Sequence, residues 1–305
     1  MARSAVRGTF SLTGPRRPTS ARRLTRTLGV IMTSRELSAA RRVASEARRD
    51  IPDSRLQVSG RALYSPASTL VSGSAFYFLG VNPGEAPNAA HLHSQLTVEG
   101  DLHRLETAGI SEHGYLDEQW KGFKAGHAPI QVRGQQVFAL LAGGTCADGS
   151  NLLRITPTSN FVLQRSPNVA VLEKRTGVKA SELAQKYWPF HQAVIRETGC
   201  KVVLTHAVGL ARQLARARGL GEGHRRPSGW GGTLSTCYAW HLPEGPILLA
   251  IPNLSRYIPD GPRKPALCAF FREFVTPVTG ASASMTPNHA SQRTRMKPRA
   301  AERKR

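Results

Sequence analysis

The sequence predicts an α/β fold of three layers, α/β/α, around a central, mostly parallel sheet of about four strands, and three segments of one shape point to it. Ala75-Phe76-Tyr77-Phe78-Leu79 runs into Gly80-Val81-Asn82-Pro83-Gly84. Lys201-Val202-Val203-Leu204 runs into Thr205-His206, and Ile247-Leu248-Leu249-Ala250-Ile251 runs into Pro252-Asn253-Leu254-Ser255-Arg256. Each is a short apolar run ending in a polar turn. Runs without polar alternation suit strands covered by helices on both faces. Parallel strands deliver their following turns to one edge, where ligands of such sheets gather. The site is therefore expected just after Leu79, Leu204 and Ile251.

Between these strands the apolar spacing turns helical. Leu102 to Ala108 and Gln131 to Leu141 have helix-compatible spacing, the second carrying Val132, Val137, Phe138, Leu140 and Leu141 before Gly143-Gly144 stops it. Lys179 to Thr198 places Leu183, Tyr187, Phe190, Val194 and Ile195 at steps of three and four, with Gly199 as terminator. Pro189 predicts a break or a fresh first turn inside that span. Val208 to Leu220 continues from the Leu204 strand as a helix, with Leu210, Ala211, Leu214 and Ala215 inward and Arg212, Arg216 and Arg218 outward. Gly221 to Gly232 reads as an arginine-containing glycine loop, and a further strand is expected around Leu234 to Leu242.

Gly80-Val81-Asn82-Pro83-Gly84 resembles the first signature of the uracil-DNA glycosylase superfamily, in the Gly-x-Asn-Pro-Gly form of its mismatch-specific and single-strand-selective branches. Pro252-Asn253-Leu254-Ser255-Arg256 is similar to a shortened second signature of that family, and Ser159-Asn160-Phe161-Val162 resembles the segment holding its uracil-reading Asn. The order is that of the family, and the resemblance spans roughly residues 75 to 275. Taken singly each motif is weak, because Asn-Pro-Gly is also a common turn. The resemblance implies a uracil-DNA glycosylase-like fold and excision of uracil or a related damaged base from DNA.

Excision breaks a glycosidic bond through an oxocarbenium-like sugar while the base leaves as an anion. The enzyme must hold the base out of the helix, stabilise the anion and place a water beneath the sugar carbon. On the resemblance, Asn82, with Gly80 and Pro83 shaping its turn, positions the water; its alternative is a turn-stabilising Asn before Pro. An Asn is a poor general base, so the rate is expected to be modest. Asn160 would read the base, donating to O4 and accepting from N3–H; its alternative is a cap beside Thr156-Pro157-Thr158. Phe161, His91 and His93 are candidates for stacking on the flipped base, set against the commoner fate of aromatics in an apolar run, which is the core.

The resemblance makes Leu254 the apolar wedge in the vacated base step, with Asn253, Ser255 and Arg256 on the flanking DNA. Here the chain departs from the family: the His or Asn expected before the Pro is Ile251, and the motif is one residue short. Loss of one donor to the leaving base typically costs roughly a hundred- to a thousandfold in rate. His206, also at a strand's carboxyl end, can replace it or be satisfied locally.

Charge points to phosphate. Lys+Arg outnumber Asp+Glu by 42 to 20 in 305 residues. Residues 1–35 hold eight arginines and no carboxylate, and residues 292–305 hold seven basic residues against Glu302. The expected organisation is a basic, largely disordered extension over 1–50, one domain over 51–279 and a basic disordered tail over 280–305. Two readings of the basic ends stay open. They are solvated extensions, with Met32 as the true start, or they attract nucleic acid with salt-sensitive affinity. The first 31 residues also have the composition of a mitochondrial transit peptide. An intracellular monomer with DNA as partner and no membrane span is expected. Cys146, Cys200, Cys237 and Cys268 form no Cys-x-x-Cys pair, and His91-x-His93 alone is a poor metal site, so reduced buried thiols, no metal and no cofactor are expected. An active DNA glycosylase and a glycosylase-fold binder of nucleic acid or nucleotide both remain; an α/β hydrolase is disfavoured by the lack of a Gly-x-Ser-x-Gly elbow.

Overall fold

The computed structural model describes residues 32–82, 84, 96–107, 111–261 and 263–279. The apolar runs form the centre of the sheet: β1 (Phe76–Gly80), β3 (Val202–Thr205) and β6 (Ile247–Ala250) are buried along their whole length. β2 (Thr158–Asn160) joins β1 on the other side, with Gly80 opposite Asn160. β4 (His224–Pro227) and β5 (Thr236–His241) run antiparallel and complete the order β2-β1-β3-β6-β5-β4.

The α/β class and the mostly parallel sheet agree with the sequence reading, whereas the strand count is six and not about four. The four parallel strands are β2, β1, β3 and β6. Two strands are extra: β2, whose Thr-Ser-Asn is too short and polar to read as an apolar run, and β4, inside the segment read as an arginine-containing glycine loop. The His-Arg-Arg-Pro sequence of β4 has no apolar face to signal a strand, and it pairs only along β5 as a charged, Pro-ended edge, a design that discourages further strand addition.

Alternation within each strand divides the core into two. Tyr77, Leu79, Val203, Leu248 and Ala250 face one helix layer, and Phe76, Phe78, Val202, Leu204, Ile247 and Leu249 face the other. On the first face lie α1 (Ser34–Asp50), α2 (Asp53–Leu56), α3 (Val98–Thr107), α6 (Val169–Thr176), α7 (Ala180–Thr198) and α8 (Val208–Ala217), with α1 against α7 and α3, and α7 against α8. On the second, α4 (Pro129–Ala142) packs on α5 (Cys146–Arg154) and α9 (Arg263–Phe274).

The expectation of a disordered extension through residue 50 is corrected by α1. Thr33 and Glu36 close a reciprocal cap, Glu36 N donating to Thr33 Oγ1 at 3.2 Å and Thr33 N to the Glu36 carboxylate at 2.7 Å. Ala39, Ala40, Val43, Ala44 and Ala47 then form a fully buried stripe. Small residues at helical spacing let α1 lie close on α7, while Arg42, Arg48 and Arg49 hold carboxylates on the outside; the high Arg and Ala content hid an amphipathic helix. The remaining tail residues, 1–31 and 280–305, lie outside the described residues.

Pro189 does not break α7. The carbonyl it leaves without an amide partner belongs to Gln185, which is exposed, so the cost of the missing bond is reduced. The helix ends where Gly199 takes a left-handed φ of 62°, as Gly143 (φ 66°) does for α4. Of the cysteines, Cys200, Cys237 and Cys268 are buried free thiols, but Cys146 is exposed at the start of α5. Among the described residues no helix is long and apolar enough to cross a membrane.

Candidate active site

The chain leaves β1 toward β2 on one side of the sheet, and it leaves β3 toward β4, β5 and β6 on the other. Adjacent strands whose connections diverge open a crevice at their carboxyl ends. Gly80 closes β1 and His206 follows β3, so these two residues flank the crevice.

Two polar side chains meet at Gly80. A Cβ on that residue would sit almost on Asn160 Oδ1 and 3.4 Å from His206 Nε2, so the absence of a side chain is what gives the amide and the imidazole their space. The pairing of β1 with β2 continues beyond the strand ends, Phe161 N donating to Gly80 O and Val162 N to Val81 O, both at 3.1 Å. Asn82 and Asn160 therefore leave the sheet at the same edge. Among the described residues the Asn160 amide, although 8% exposed, makes no side-chain hydrogen bond. Asn82 Nδ2 donates to Ser166 O at 2.8 Å, which fixes how its amide is turned.

His206 is buried and neutral. Loss of solvation pulls its pKa down from 6.5 to about 4. Its Nε2 lies 3.3 Å from the Tyr115 hydroxyl, and its ring sits 5.7 Å from that of Phe78. Nδ1 closes no hydrogen bond of acceptable geometry, although the neighbouring Asn253 side chain favours its protonation.

Tyr115 was absent from the sequence reading, because it sits in a loop without periodicity. Its loop is held by Gln131, buried in the first turn of α4, whose Nε2 donates to Gly114 O at 2.6 Å and Glu118 O at 2.9 Å. Behind it the buried Arg61 and the half-buried Glu118 form an ion pair at 2.5 Å, and Arg61 stacks 4.0 Å over Tyr64. Burial, with Tyr64 nearby, keeps the Tyr115 hydroxyl protonated well beyond its ordinary range.

Two sequence-derived roles are corrected. Phe161 is fully buried, stacked on Trp188 at 6.2 Å and edge-on to His191, so it packs the core and offers no face to a flipped base. Leu254 is also fully buried, among the residues of the α4 and α9 layer, and Arg133 Nη1 donates to its carbonyl at 2.7 Å. An apolar wedge has to protrude, and this one points inward. Ile251, where the sequence resemblance expects a His or Asn, is likewise core. Beside them, Asn253 Oδ1 accepts from Ser255 N at 2.9 Å and shapes the turn, leaving Ser255 and Arg256 exposed. Pro83, His91 and His93 lie outside the described residues.

The site is polar without a metal-binding set: among the described residues no three His, Cys, Asp or Glu side chains cluster for an ion. Two surface cavities lie away from this crevice. One is between α8 and β5, and the other is at the opposite end of the sheet, by Cys200, Lys201 and Pro246. The sequence matches no model of a known protein family and no curated protein.

Proposed function

We propose that the chain is a DNA glycosylase that hydrolyses the N-glycosidic bond of uracil or a related damaged base. The observation that carries this reading is the meeting of Asn160 and His206 over the side-chain-free Gly80, in the crevice between β1 and β3. An amide and a neutral imidazole are the groups a uracil site needs. The amide matches the O4 and N3–H edge and would be left unpaired against cytosine, which is how a buried polar pocket discriminates. A neutral imidazole N–H can donate to the departing base's anion without itself being acidic enough to protonate it fully. Asn82, anchored through its nitrogen, would present its carbonyl to the attacking water.

Incubation with a labelled uracil-containing oligonucleotide, single- and double-stranded, followed by alkali to cut abasic sites, tests this. Asn160→Asp replaces the donor to O4 with an acceptor and is expected to lower uracil excision by roughly a hundredfold or more. Asn82→Ala is expected to slow excision while sparing the binding of uracil-containing DNA, since the water matters only to the reaction.

A second reading is favoured by Ile251 and Leu254, both core residues where the family has a donor and a wedge. It makes the chain a glycosylase-fold binder of nucleic acid without excision. Absence of excision on every deaminated base, with equal loss of DNA affinity in both variants, would select it.

A further inference from the structure

Several arginines of the described surface are matched to carboxylates. Arg42 holds Glu197, Arg48 holds Glu99 and Glu106, Arg154 holds Asp117, Arg218 holds Glu244, and Arg226 holds Glu273. Arg212, Arg216 and Arg225 are exposed, and among the described residues none of the three has an ion-pair partner. They are also gathered. Arg212 and Arg216 line one cleft of about 290 Å3 whose base includes Trp240 and the backbone at Gly219 and Gly221, with Glu222 the one acidic residue lining it. Arg225 joins them from β4, because its guanidinium and that of Arg212 lie over the same Tyr238 ring, at 5.7 and 5.0 Å from the centroid.

The aromatic pair beneath is packed in place. Tyr238 and Trp240 are buried and stacked, centroids 5.4 Å apart and planes 5° from parallel, with Trp240 Nε1 donating to Gly221 O at 3.3 Å. Rings that hold guanidinium groups in place reduce the ordering cost when an anion arrives. Arg212 and Arg216 are one helical turn apart, about 6 Å along the axis, so the cations form a row rather than a single nest. Tyr238 pairs with Ala250, the last residue of β6, so the row starts beside the carboxyl edge and runs down α8.

We infer that Arg212, Arg216 and Arg225 form a second binding site, for consecutive phosphodiesters of a polynucleotide strand. Planar guanidinium groups free of carboxylates suit bidentate contact with phosphate, and a row of them suits a chain of phosphates. The inference is independent of excision, because its probe carries no uracil.

The test is the salt dependence of binding of the full chain to an undamaged oligothymidine strand. For Arg212→Gln/Arg216→Gln/Arg225→Gln, the slope of log K against log salt is expected to shrink by about 2, from roughly 0.7 per lost phosphate contact. The control is Arg35→Gln/Arg41→Gln/Arg272→Gln, an equal charge change at exposed arginines elsewhere, which is expected to leave the slope in place. Thermal melts establish that both variants fold. An unchanged slope in the first variant, or an equal loss in both, overturns the site. Inorganic phosphate at constant ionic strength is expected not to displace the strand; displacement would mark a pocket for one anion and overturn its reading as a strand site.

Discussion

The turns after β1 and after β6 look alike in sequence, each a buried apolar strand running into Asn, Pro and small polar residues. In the fold they do different work. The β1 turn spends its polarity at the sheet edge: Gly80 keeps a space open, Asn160 and His206 enter it, and His206 Nδ1 stays without a bond of good geometry. The β6 turn spends its sequence on packing, with Ile251 and Leu254 fully buried and Asn253 closing its own turn. An unsatisfied buried polar group is costly, and the one at this edge, His206 Nδ1, belongs to the crevice beside Gly80 and not to the packed β6 turn.

Substitutions can break or sharpen that contrast. The largest expected effect is at the β6 turn, where Leu254→Ala should cost about 2–5 kcal/mol of stability by the cavity it leaves, measured by denaturant unfolding. The proposed excision activity, scaled to folded protein, should be unchanged; a selective loss of DNA binding in the folded variant would restore Leu254 as a wedge. At the β1 turn, Gly80→Ala forces a methyl into the space of Asn160 and His206 and should cost about 1–3 kcal/mol. Unlike Leu254→Ala, it should also abolish the proposed excision under conditions where the protein is still folded. Stability and activity both intact would show that the Gly80 space is empty of function.

His206 supplies a pH test of the same contrast. Its folded pKa of about 4 lies below the ordinary 6.5, so between these values the unfolded chain binds a proton that the folded one refuses, and stability falls as pH drops through that window. Above pH 6.5 the contribution is fully present. His206→Leu should remove this dependence, reducing the slope of stability on pH by about 1.4 kcal/mol per unit between pH 6.5 and 4. His113 and His191, also buried with pKa values near 4, should preserve the remaining acid sensitivity. An unaltered slope in the variant would mean that the ring is already charged in the fold. The smallest effect is at Arg256. As an exposed side chain it should cost under about 0.5 kcal/mol of stability when changed to Gln, yet lower the salt slope of DNA binding by about 0.7 to 0.9. No change in slope would remove the β6 turn from the DNA surface altogether.

Much of the sheet was legible because buried parallel strands carry a one-dimensional signal: β1, β3 and β6 are continuous apolar runs, and their polar ends name the edge where a site belongs. β4 was not, since an edge strand of His, Arg and Pro carries no hydrophobic period. The α1 helix was masked by its arginines, whose meaning changed once Glu197, Glu99 and Glu106 were brought beside them from distant segments. For the site, Gly80, Asn82 and Asn160 could be proposed from the turn chemistry, while Phe161 and Leu254 were assigned outward roles and lie in the core.

From the chain alone follow the α/β class, the central strands, most helices and the edge at which Asn82, Asn160, His206 and Asn253 emerge, because each depends on the nearest few residues and their period. Whether a residue at that edge faces the crevice or the core depends on which helix layer lies against its side of the sheet, and that is settled by contacts tens of residues apart. Tyr115 reaches His206 across 91 positions because Gln131 pins its loop, and Leu254 turns inward because Arg133 on α4 holds its carbonyl and the second helix layer covers its side chain.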